Sequence, residues 1–85
     1  KMTYQLIDIA VTDKHAHPRL VGRTVGHVRA VLTETLADGE QTHELAIPVW
    51  TNTNPSMTEA DIDMALLLKA AEIVARVKAR LDLAP

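Results

Sequence analysis

The stretch 28–49, VRAVLTETLADGEQTHELAIPV, constrains the fold more than any other, because it reads as one long β-hairpin closing on Asp38-Gly39. With Asp38 and Gly39 as the loop residues of a type I′ turn, Leu36 faces Gln41, Thr35 faces Thr42, Leu32 faces Leu45, Ala30 faces Ile47 and Val28 faces Val49. One face of the ribbon is then apolar throughout. The other presents His27, Arg29, Val31, Thr33 and Thr35 against Thr42, Glu44, Ala46, Pro48 and Trp50, a mixed surface suited to water or a partner. A helical stripe through Val21, Val25, Val28, Leu32 and Leu36, capped at Asp38-Gly39, competes for the same residues. Gly22, Gly26 and the run of Val and Thr make it a poor helix, and it leaves the matching pattern of 41–49 without a cause.

Pro48 cannot donate to a ladder, so the strand that carries it lies at a sheet edge and the strand before it is central. Residues 3–11, TYQLIDIAV, have strand composition, with Ile7, Ile9 and Val11 as the expected core set. The reading is therefore α+β: a βββα chain whose three-stranded antiparallel meander, in order 1-2-3, packs on one long C-terminal helix. The strands are expected at about 3–11, 24–36 and 41–50, the helix at about 58–82, and a loop over 12–22 interrupted by Pro18.

Thr58 as N-cap puts Asp61 at N3 in capping-box spacing, and Met57 and Ile62 have the spacing of a hydrophobic staple. Ser56 with Glu59 offers a competing frame. Wound at about 100° per residue, the apolar residues of this helix fill an arc of roughly 220°, far wider than one sheet face covers. Ile62, Leu66, Ala70, Ile73 and Val77 account for the sheet side. Met64, Leu68, Ala71 and Ala75 remain as a second seam with small residues for close approach, which predicts a homodimer joined helix to helix.

Eighty-five residues make one domain, 2–85, with Lys1 ahead of Met2 read as an expression remnant. Tyr4 and Trp50 are the only aromatics, so the core is aliphatic and thin, which also favours oligomerisation. The absence of cysteine excludes disulfides, thiolate metal sites and a cysteine nucleophile, and fits a cytoplasmic setting. No apolar run reaches the ~20 residues of a membrane-spanning helix. Charge is segregated: residues 14–29 hold Lys14, Arg19, Arg23 and Arg29 with no acid, whereas 30–68 hold seven acids and no Lys or Arg.

The end of the sheet away from Asp38-Gly39 collects the residues able to bind something: His15, His17, Arg23, His27, Arg29 and Trp50. His15-Ala-His17 with His27 has the nitrogens for a zinc-like ion but no acid set to complete it, and no metal is assigned. Arg29, His27 and Trp50 could stack and contact phosphate, yet one aromatic among so many acids argues against nucleic acid. His43 is expected to form a cross-strand polar pair with Glu34. No Ser-His-Asp order, phosphate-binding Gly loop or HExxH is present, so neither catalytic residues nor a cofactor are expected. The expected function is a non-enzymatic interaction or assembly module acting as a homodimer, with the polar sheet face open to a further protein partner and no membrane contact. The alternative is a small-ligand or anion (phosphate or nucleotide) binding domain that uses the His/Arg/Trp end.

Overall fold

The computed structural model describes residues 3–83; Lys1, Met2, Ala84 and Pro85 lie outside them, and with them the outer bounds of the 2–85 domain. Strands β1 (Thr3–Ala16), β2 (Arg23–Leu36) and β3 (Gly39–Asn52) are followed by helix α1 (Glu59–Leu83). The sheet is antiparallel in the order β1-β2-β3, with β2 central, and α1 lies along one face in contact with all three strands. Pro48 sits on the edge strand, where its missing N–H leaves no gap in the ladder.

The core is built where the hairpin pattern predicts it. Val28, Ala30, Leu32, Ile47 and Val49 are buried beneath Leu66, Ala70 and Val74 of α1. The register that achieves this differs from the expected one. Leu36 pairs with Gly39, Leu32 with His43, Ala30 with Leu45 and Val28 with Ile47. The loop residues are thus Ala37 and Asp38, and Gly39 closes the turn at φ 145° while no non-glycine residue among the described ones has a positive φ. A type I′ turn would force Asp38 into the left-handed region; the chain instead gives the positive φ to the residue that lacks a Cβ. The slip is of two residues, and side chains alternate with a period of two, so every face assignment survives. Leu45, opposite Ala30 on the core face, is 37% exposed.

β1 departs further from simple alternation. Leu6 pairs with Leu32 but Asp8 with Val31, and Val11 pairs with Val28 but Asp13 with His27, so Ile7 and Thr12 are each an extra residue in a β-bulge. The helix side of β1 consequently carries Tyr4 and Leu6 before the first bulge, Ile9 and Val11 between the two, and Lys14 after the second. Ile7, expected in the core with Ile9 and Val11, is 54% exposed because the bulge turns it out; Leu6 takes its place. The bulged strand runs on to Ala16, so the connection is shorter than the expected 12–22 loop.

That connection is pinned by its own backbone and by His17. The His17 N–H donates to the Arg23 carbonyl at 2.8 Å, and Thr53 N–H donates to the Gly22 carbonyl at 2.8 Å. Nδ1 of His17 accepts from the N–H groups of Arg19 and Leu20, both at 3.0 Å.

Helix α1 starts on the expected capping box. The Asp61 N–H donates to Thr58 Oγ1 at 3.1 Å, and the Thr58 N–H donates to Asp61 Oδ2 at 2.9 Å. Asn54 Oδ1 accepts from the Ser56 N–H at 3.0 Å, so the Ser56 frame serves the turn before the helix. Lys14 fastens the first half of α1 to β1 through Asp63 and, at 2.7 Å, Glu59. Those two carboxylates hold the Lys14 ammonium above the ordinary lysine range, Asp63 contributing most. The second bulge is what turns Lys14 to the helix side.

Candidate functional site

The six residues that the sequence gathers at one end of the sheet share that end but separate into groups, although His15, Arg23, His27, Arg29 and Trp50 all take ladder positions on the face away from α1. His27 and Arg29 stand on the face away from α1, each against an acid of β1. His27 Nδ1 lies 3.1 Å from Asp13 Oδ1. Arg29 meets Glu44 through Nε and a terminal nitrogen, both at 3.0 Å, and reaches Asp8 at 3.4 Å. Its guanidinium holds the Glu44 carboxyl below the usual carboxylate range, and Glu44 in turn raises Arg29. The charge of Arg29 is thus taken up inside the sheet face, around Val31, whose cross-strand neighbours are Asp8 and Glu44. His15 borders a hollow with Lys14, Glu59 and Ile62 near the helix start, and His17 is committed to the connection. Among the described residues no three His, Asp or Glu side chains come together as a metal set.

Arg23 and Trp50 do come together, and they bring helix residues with them. Val25 is the cross-strand partner of Trp50, and Asn52 that of Arg23, so the two side chains are diagonal neighbours at the open end of the β2–β3 ladder. The Arg23 guanidinium carbon stands 3.9 Å from the Trp50 ring centroid, and Lys69 Nζ of α1 stands 4.6 Å from the same centroid. Because Trp50 is on an edge strand, its ring reaches round the margin of the sheet to the flank of the helix. A groove of about 290 Å³ opens there between β3 and α1, walled by Pro48, Trp50 and Ile73 and carrying Lys69, Glu72 and Arg76.

Sequence reasoning passed over Lys69, Glu72 and Arg76. They occupy the polar side of an amphipathic helix, which reads as solvated surface. The available signal was the 69/72/76 spacing, which stacks three charged side chains on one strip of helix, in a chain with a single tryptophan on an edge strand.

At the other end of the molecule Glu34 is 7% exposed on the helix side of β2. Its carboxylate accepts from Tyr4 Oη at 2.9 Å and meets His43 Nε2 at 2.9 Å, the polar pair expected from the sequence though diagonal in the ladder. These hydrogen bonds, that of His43 first, hold the Glu34 carboxyl below the usual range. Beside them Leu32, Leu45, Val77 and Leu81 line an apolar hollow of about 230 Å³.

Among the described residues no helix is long and apolar enough to cross a membrane. No protein-family model, curated protein or solved structure matches the chain.

Proposed function

We propose that the protein is a small non-enzymatic assembly module that acts in the cytoplasm as a homodimer, two copies joining through the outward stripe of α1. The observation that carries this reading is the exposure of Met64 and Leu68, each 57% accessible, on the side of the helix turned away from Leu66, Ala70 and Val74. Ala71 and Ala75 share that stripe. In an antiparallel pair whose two-fold axis crosses between residues 69 and 70, Met64 stands level with Ala75 of the second copy and Leu68 with Ala71 of the second copy. A large side chain then meets a small one at each level, which lets the helix axes approach closely. The same rotation brings the acidic first turn, with Glu59 and Asp61, to the level of Lys78 and Arg80 of the second copy, and it sets the two helix dipoles in opposite senses. Complementarity of the stripe to itself, in both size and charge, favours a second copy over an unrelated partner.

Sedimentation or light scattering tests this at a protomer concentration on the order of tens of micromolar. The wild type is expected to be a dimer and Ala71→Glu a monomer with unchanged circular dichroism, since residue 71 lies outside the buried core. A monomeric wild type would end the reading.

A further inference from the structure

We propose that the groove between β3 and α1 is a binding site for a phosphate dianion, free or as the monoester of a small molecule, held by Arg23, Lys69 and Arg76 around Trp50. The inference stands on residues other than the dimer stripe and does not depend on it. Lys69 and Arg76 line the groove with one carboxylate, Glu72, and Arg23 stands outside that lining against the Trp50 ring, so the surroundings of Trp50 hold a formal excess of two positive charges. A phosphate monoester carries about −1.5 to −2 at neutral pH, which matches that excess. None of the three cations forms an ion pair with a described residue, in contrast to Lys14 and Arg29, whose charges are each met by two carboxylates. Arg23 adds a second, independent sign: its Nε is buried and has no hydrogen-bond partner. A buried donor left unpaired is costly, and a turn of the guanidinium about Trp50 towards a bound oxyanion would relieve it. Trp50 positions two of the cations by holding them against its ring while taking up none of their hydrogen-bonding capacity.

The specificity follows from the same geometry. Arginine forks and a lysine ammonium suit the several oxygens of a phosphate better than the two of a carboxylate. Glu72 disfavours a second negative group beyond the first. A polyanion is not the expected ligand, since seven acids between residues 30 and 68 oppose one.

Trp50 is the only tryptophan, so its fluorescence reports on this groove alone. The test is a titration of the full chain with inorganic phosphate and, separately, with adenosine monophosphate, against sodium chloride at matched ionic strength. A parallel NMR titration follows the Trp50 indole and Arg23 Nε–H signals. A saturable response is expected, half complete below about 1 mM. Lys69→Ala and Arg76→Ala, both at exposed helix positions, are each expected to weaken it about tenfold or more, the size of one lost charge-assisted hydrogen bond. Equal binding of the two ligands would identify phosphate itself, and tighter binding of the nucleotide a monoester; either supports the site. No saturable change up to about 10 mM, a response reproduced by chloride, or one unaltered in both variants would overturn it and leave the Arg23–Trp50–Lys69 stack as packing only.

Discussion

Glu34 and His43 meet 2.9 Å apart across β2 and β3, on the sheet side that carries the core, and Tyr4 donates to the same carboxylate from β1. One buried acid thereby ties all three strands together near the turn end. Its partners favour the ionised form, His43 most, so its folded pKa lies below its unfolded one. Such a group contributes stability that is complete above the unfolded value and disappears as pH falls through the folded value. Chemical denaturation repeated from neutral pH down through the carboxylate range should show the wild type losing stability on acidification. Glu34→Gln should be less stable at neutral pH and should flatten that acid slope. A Glu34→Gln protein with the wild-type slope would rule out Glu34 as its source.

The bulge at Ile7 predicts an inversion of the usual rule for a strand of alternating apolar residues. Ile7 is 54% exposed, whereas Leu6 packs against the core cluster. Ile7→Ser is therefore expected to change stability by no more than about 0.5 kcal/mol, as surface substitutions do. Leu6→Ala should cost on the order of 2 kcal/mol, the low end for a leucine in contact with a core. Urea midpoints of the two variants check this, and a larger loss in Ile7→Ser would mean that the strand alternates without a bulge.

The contrast between β1 and the hairpin explains what was legible in the chain. The faces of β2 and β3 were readable because a two-residue slip leaves the period of two intact, so Val28, Ala30, Leu32, Ile47 and Val49 reach the core in either register. A one-residue bulge changes parity and has no compositional mark of its own, so Ile7 and Lys14 were not assignable. The capping box of Thr58 and Asp61 was legible because it is a local contact between residues three apart. The groove was legible only in half. Arg23 and Trp50 were brought together by the ladder, but Lys69 and Arg76 join them through the rotation of α1 about its own axis, which the core decides.

The second bulge makes a prediction about glycine. A Cβ at Gly26 would lie 2.3 Å from the Asp13 carbonyl oxygen and 3.0 Å from the Lys14 Cα. Both are backbone atoms, which cannot rotate away as a side chain can. Gly26→Ala is thus expected to push β1 outward just where Lys14 reaches Asp63 and Glu59, at a cost of about 1–3 kcal/mol, the range for overpacking. Hydrogen exchange should localise the damage to residues 11–16 of β1 and their partners in β2. Unchanged stability in Gly26→Ala would show that β1 has room to spare there.

The helix start offers a cleaner measurement, because its two bonds are reciprocal and exposed. Thr58 Oγ1 satisfies the Asp61 N–H, and Asp61 Oδ2 satisfies the Thr58 N–H. Replacing a capping threonine with alanine typically removes about 1 kcal/mol. The Asp61 carboxylate also lies in the first turn, where the helix dipole favours a negative charge. Thr58→Ala should therefore cost about 1 kcal/mol, and Asp61→Ala should lose both a bond and that charge. The double variant should cost less than the two singles together, since the side chains act as one unit. Asp61→Asn keeps an acceptor but not the charge, so it should fall between the wild type and Asp61→Ala, and added salt should narrow its distance from the wild type. Additive losses in the double variant would mean that the two residues stabilise the helix start separately, with no reciprocal box between them.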